Sequence, residues 1–319
     1  LESAYCNIKV YASVSRGMRG EELSDMRSLV EAGAVGFTDD GLPVSNANLM
    51  RRAFEYSSNL GVPIAQHAED HNLSCGGCMN EGWVATKLGL KGIPNVSEAV
   101  IVARDILLAE LTGGQYHVLH ISTKEAVELV RWGKKKGINI TAEVAPHHFI
   151  LTDEAVIDYR TFSKMNPPLR AESDRQALIE GLADGTIDAI ATDHAPHASQ
   201  EKCCEFSVAR PGMLGLETAL SIVVETMVST GLLDWRGVAK VMSERPAQIV
   251  GLTDQGRPIA VGEPANLAVV AAESSWTVKA DELASLSRNT PYADMTLPAT
   301  IRATVLRGTI TAHEGAVRR

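Results

Sequence analysis

Asp188-Ala189-Ile190-Ala191-Thr192-Asp193-His194-Ala195-Pro196-His197 is a short apolar run that ends in carboxylate and imidazole side chains, and three other segments repeat the pattern. Ala34 to Phe37 leads into Thr38-Asp39-Asp40, Val62 to Gln66 into His67-Ala68-Glu69-Asp70, and Val118-Leu119 into His120-Ile121-Ser122-Thr123. Short hydrophobic runs bounded by helical periodicity read as parallel strands buried on both faces. Polar groups at the carboxyl ends of such strands sit where a (β/α)₈ barrel places its chemistry. Imidazoles and carboxylates without thiolates suit zinc or another divalent cation of similar hardness. The predicted fold class is therefore α/β, a TIM-type barrel with a metal site at its mouth.

Outward from these runs, strand and helix alternate. Strands are predicted over Asn7 to Val14, Ala34 to Phe37, up to His67, Tyr116 to Ile121, Ile138 to Val144 and Ile187 to Thr192. Helices are predicted over Glu21 to Ala32, Asn46 to Leu60, Val96 to Leu111 with Ser97 in the cap region, Lys124 to Lys136 and Asp174 to Ala183. Six strands are two fewer than a closed barrel needs, so about two βα units ahead of Leu1 are expected to complete it. Gly215 to Thr230 and Asp234 to Ser243 are helical in pattern, after which short strands and tight turns take over. The expected organisation is a barrel over residues 1–258 and part of a small β-sandwich-like unit over 259–319.

Composition excludes several classes of function. A net charge of −9 leaves no basic surface to displace counterions from a phosphate backbone, which argues against a nucleic-acid partner. No run of about 18 apolar residues marks a membrane span, and the opening Leu1-Glu2-Ser3-Ala4-Tyr5-Cys6 lacks a basic region followed by an apolar one. Five cysteines, an odd number, fit a reducing compartment better than a disulfide framework, so a cytoplasmic location is expected. Cys75, Cys78, Cys203 and Cys204 have some of the spacing of a zinc ribbon, but free thiols are the default reading.

Phe37-Thr38-Asp39-Asp40-Gly41, His67-Ala68-Glu69-Asp70, His120-Ile121-Ser122-Thr123, Ala145-Pro146-His147-His148, Lys164-Met165-Asn166-Pro167-Pro168-Leu169-Arg170, Asp193-His194-Ala195-Pro196-His197 and Gly215-Leu216-Glu217-Thr218 together resemble class I dihydroorotase, of the amidohydrolase superfamily. The resemblance runs from about Gly20 to Gly308. It implies two zinc ions per subunit. Asp40 would bridge them, His67 and His120 would bind the second, and Asp193 would bind the first and transfer the proton. Asn166, His197 and the Pro211-Gly212 backbone would hold the substrate.

The implied reaction is the reversible hydrolysis of dihydroorotate to N-carbamoyl-L-aspartate, a step of pyrimidine synthesis, through a metal-bridging hydroxide. Hydantoinase and allantoinase relatives carry a carbamylated lysine at the bridging position, and Val35 to Asp40 contains no lysine. The family's His-x-His-x-Arg motif has no counterpart in these residues. Another cyclic amidohydrolase, such as a dihydropyrimidinase or allantoinase, and an inactive dihydroorotase-like scaffold for aspartate transcarbamoylase are the alternatives. The expected partners are the small-molecule substrate and either further copies of the chain or aspartate transcarbamoylase. Asp39, Glu69, Asp70, His147, His148 and His194 are read as supporting residues. Ala198 to Arg210 is read as a loop closing over the barrel mouth.

Overall fold

The computed structural model describes residues 4–318; Leu1 to Ser3 of the opening and Arg319 at the end of the β unit lie outside them. The strands, in chain order, are β1 (Val10–Ala12), β2 (Ala34–Phe37), β3 (Ile64–Gln66), β4 (Met79–Asn80), β5 (Gly92–Ile93), β6 (Tyr116–Val118), β7 (Ile140–Val144), β8 (Ala189–Ile190), β9 (Leu267–Thr277), β10 (Thr296–Leu306), β11 (Thr309–His313) and β12 (Ala316–Val317). Six of them form one sheet in the order β1-β2-β3-β6-β7-β8. Every pairing in that sheet is parallel, with Ile64 opposite Tyr116 and Tyr116 opposite Ile140 at its centre. Helices connect the strands, giving a curled parallel half-barrel. Its core includes Phe37, Phe54, Ile64, Tyr116, Val118, Ala142 and Val144, all fully buried. The rings of Phe54 and Tyr116 meet edge to face, with centroids 5.8 Å apart.

The helices follow the sequence signals closely. Asn46 caps Ala47–Leu60 by accepting from the amides of Asn48 and Leu49, and Gly61 ends that helix in the left-handed conformation. Thr123 caps Lys124–Lys135. The helix Val96–Thr112 begins after Asn95, so Ser97 lies inside the helix and does not cap it. The helix predicted from Glu21 is confined to Met26–Glu31 behind an Asp25 cap. The one predicted from Gly215 starts only after Thr218, because the amides of Gly215 and Leu216 donate to His194 Nδ1 instead.

Two strands stop earlier than their apolar runs, and the reason lies in the backbone. β6 ends at Val118 and β8 at Ile190, short of His120 and Asp193, which take positive φ values of 29° and 45°. A left-handed residue with a side chain breaks an extended path and re-aims the side chain, and such strain gathers at functional sites.

Among the described residues the C-terminal strands form a single antiparallel sheet, β12-β11-β10-β9. The start of β10 turns its apolar face towards the half-barrel. Leu297 joins the main core there, together with Val278 and Tyr292. Among the described residues no helix is long and apolar enough to cross a membrane.

Candidate metal centre

Three of the sequence-predicted ligands meet. Asp40 follows β2, His67 follows β3 and His120 follows β6, so adjacent parallel strands deliver all three to one end of the sheet. Asp40 Oδ1 lies 3.2 Å from His120 Nε2 and 3.6 Å from His67 Nδ1, and the two ring nitrogens are 3.1 Å apart. Both imidazoles are buried, while Asp40 is half exposed.

This donor set fits a divalent cation. Zinc bonds of about 2.0–2.1 Å in a tetrahedral shell place neighbouring ligand atoms about 3.4 Å apart, close to the three separations found here. All three atoms offer lone pairs to one point, and a single proton between them satisfies only part of that demand. The imidazole of His67 is oriented from behind, its Nε2 lying 3.0 Å from Glu69 Oε2, which leaves Nδ1 to face the cluster. Glu69 also accepts from Asn166 Nδ2 at 3.1 Å, so the predicted substrate residue Asn166 stands directly beside the ligand's support.

With these side chains alone, electrostatics couples the cluster to a proton. Burial works against the charge of His120, but the bond and charge of Asp40, with Asp193 and Glu143 nearby, push its pKa up to about 9. Burial opposes the charge of Asp40 too, yet His120 and His67 hold its carboxyl down at about 2. Glu69, although burial opposes its charge, is held well below the usual carboxylate range by His67, Ser74 and Asn166.

Asp193 stands next to this group rather than within it. The convergent set comprises Asp40, His67 and His120 among the described residues. The Asp193 carboxylate lies 3.9 Å from Nε2 of buried His147. Burial pushes His147 down to about 4, so its ring is neutral at pH 7, and neither of its nitrogens has a hydrogen-bond partner.

The remaining predicted residues form a neighbouring group. His197 Nε2 donates to the Pro211 carbonyl at 2.8 Å, and the Gly212 amide donates to Lys164 O at 2.8 Å, two residues before Asn166. Asn289 fastens this group by donating to Ala195 O and Gly212 O while accepting from the His197 amide. The segment Ala198 to Arg210 is tied down rather than free. Lys202 donates to Arg210 O and Gly212 O, Lys164 donates to Phe206 O and Ser207 O, and Phe206 is buried in a small apolar cluster with Met79 and Val84.

Sequence reading passed over Asn289, Glu98 and Asp105, because nothing local marks a polar residue whose partner is distant in the chain. Glu69 and Asp39 were seen only as supports. Asp39 is buried and accepts from the amide and hydroxyl of Ser15, fastening the end of β2 to the chain after β1. Asp70 caps the short helix His71–Ser74, and all five cysteines are free.

A curled parallel half-barrel with carboxylate and imidazole donors at its strand ends is the arrangement of a cyclic amidohydrolase, and solved structures of similar shape are hydantoinases. The L-hydantoinase of Arthrobacter aurescens superposes with a TM-score of 0.87 at 25% identity over 99% of this chain and 72% of that one. A D-hydantoinase from Thermus sp. superposes at 0.83 with 24% identity, over 99% of this chain and 71% of that one, and shows the shared fold. The family model described as Dihydro-orotase-like matches residues 1–126. The dihydroorotase of Mycobacterium tuberculosis is 54% identical over 96% of this chain and 72% of its own length, and that of Streptomyces coelicolor is 51% identical over 98% and 74%. The chain belongs to the dihydroorotase family.

Proposed function

We propose that the chain catalyses the reversible hydrolysis of dihydroorotate to N-carbamoyl-L-aspartate, with zinc held by Asp40, His67 and His120. The convergence of these three lone-pair donors at 3.1 to 3.6 Å carries the reading. Asp40 and Asp193 would hold a second zinc, which is part of the proposal. Bound at this place, the metal supplies Lewis acidity, polarising the ring carbonyl and making water acidic enough to attack near neutral pH.

The protein's own residues do the rest. Asp193 takes the proton from the attacking water and delivers it to the leaving ring nitrogen; in the ring-closing direction it takes the proton from that nitrogen. Its neighbour His147 is buried and neutral, so it does not compete for the proton. Asn166 presents its amide beside His67 and Glu69, where it can bond the substrate's ring. His197 and the Pro211-Gly212 backbone supply donors and acceptors for the rest of the ring, which fixes the scissile amide against the site.

Separate assays with dihydroorotate, dihydrouracil, hydantoin and allantoin test this proposal. Turnover of dihydroorotate alone, lost on chelation and restored by zinc, is the expected result. Preference for hydantoin or dihydrouracil would reassign the substrate, and no turnover with bound zinc would favour a scaffold.

Gly212 gives a sharper test of the substrate group. Its φ is +121°, and a Cβ there would sit 2.6 Å from the Ala195 Cβ and 3.2 Å from His197 Nε2. Gly212→Ala is expected to raise KM by roughly tenfold or more through strain and displacement of this turn, with metal content unchanged. An unaltered KM would remove the turn from the substrate site.

A further inference from the structure

Helix Val96–Thr112 carries two carboxylates, Glu98 and Asp105, that are almost completely buried. Seven residues apart, they lie two turns from each other on one face of the helix. Buried charge is retained only when it is fully bonded, and the partners here are specific. Every hydrogen bond described for the Glu98 carboxylate comes from the two residues that follow Ile121. It accepts from the Ser122 amide at 3.0 and 3.2 Å, the Thr123 amide at 3.0 Å, the Thr123 hydroxyl at 2.8 Å and the Ser122 hydroxyl. That turn begins at His120, whose φ of 29° is unfavourable for a residue with a side chain. Buried Arg170 donates to the Ser122 hydroxyl from the other side and to Ile93 O.

Asp105 serves the other two ligands. Its Oδ2 accepts from Gln66, the residue before His67, at 3.4 Å, and Gln66 in turn accepts from the Val44 amide at 3.3 Å. Its Oδ1 accepts from Arg104, whose guanidinium donates to the carbonyls of Val44 and Ser45 at 2.9 Å each. Val44 and Ser45 end the loop that carries Asp40.

We infer that Glu98 and Asp105 are positioning residues for the cation site: one holds the turn of His120, the other holds the segments of Asp40 and His67, and their shared helix fixes the spacing between the three donors. The inference rests on the zinc reading above.

The test uses Glu98→Gln and Asp105→Asn in the whole chain, stripped of metal and titrated with Zn²⁺ and with Co²⁺. Both side chains keep their shape but turn an NH₂ towards groups that already donate. The expected result is a severalfold loss of metal affinity, smaller than the roughly 10- to 100-fold usual for groups bonded directly to metal ligands, with an altered visible spectrum of the Co²⁺ form. A lower melting temperature of the metal-free protein, with wild-type affinity and Co²⁺ spectrum, would make both residues ordinary core groups and overturn the inference. If Glu98→Gln does not fold, Ser122→Ala decides: it keeps the amide bonds and should still weaken Co²⁺ binding severalfold, and unchanged binding overturns the role of Glu98. His120→Ala separates the two readings. Retained wild-type affinity there means that the zinc reading has failed, whereas lost binding there beside intact binding in Glu98→Gln and Asp105→Asn means that only the positioning role has.

Discussion

Asp193→Asn is expected to lower kcat for dihydroorotate hydrolysis by roughly 10²- to 10⁴-fold, the range that a positioned general base or acid contributes, while most of the metal stays bound. Asn is nearly isosteric and keeps an oxygen donor, but it cannot take up a proton. The convergent donors are Asp40, His67 and His120, with Asp193 beside them, so the change removes a proton acceptor and leaves the three-residue cluster whole. Steady-state kinetics with metal analysis of the same preparation checks this. Full turnover in Asp193→Asn would refute the proton-transfer role. Full loss of metal would show that Asp193 acts chiefly as a ligand.

The parts of this molecule that could be read from sequence are those in which cause and consequence lie within a few residues. The apolar run Ala34 to Phe37 followed by Asp40 announces both a buried strand and the donor at its end, and β2 falls on those very residues. Helix Ala47–Leu60 was legible because its cap, its apolar face and its terminal glycine are all local. The ends of β6 and β8 were not, since hydrophobicity continues past the points where His120 and Asp193 turn left-handed.

The bonds that hold the donors were hidden for a different reason. Glu98 reads as an acidic residue in the first turn of a helix, favourable to the helix dipole, and nothing in the sequence says that it reaches Ser122 and Thr123. Asn289 lies in a stretch without helical or strand periodicity, yet it closes the group around Gly212. The β4-β5 pair was missed because two-residue strands have no period to detect. Metal ligands can thus be proposed from one sequence, whereas the polar groups that set their geometry need tertiary contacts.

His120→Ala should have the largest effect on metal binding, exceeding the roughly 10- to 100-fold that partners of ligands contribute, and turnover should fall with it. The imidazole is one of the three convergent donors among the described residues, and an alanine side chain has no lone pair to put in its place. A proton signature accompanies this loss. Without metal the His120 pKa is raised to about 9, above its ordinary 6.5, so at pH 7 the ring is charged and its pairing with Asp40 stabilises the fold. That contribution is fully present below pH 6.5 and disappears as pH rises through about 9. A cation needs the neutral ring, so binding at pH 7 must expel the proton, and affinity must climb between pH 6.5 and 9. Titration calorimetry in two buffers of different ionisation enthalpy measures the released proton. The wild type should release about one more proton than His120→Ala at pH 7, and the metal-free wild type should lose melting temperature from pH 6.5 to 9 more steeply than the variant does. Equal proton release in both proteins would mean that His120 does not exchange its proton for metal, and the ligand assignment would fall with it.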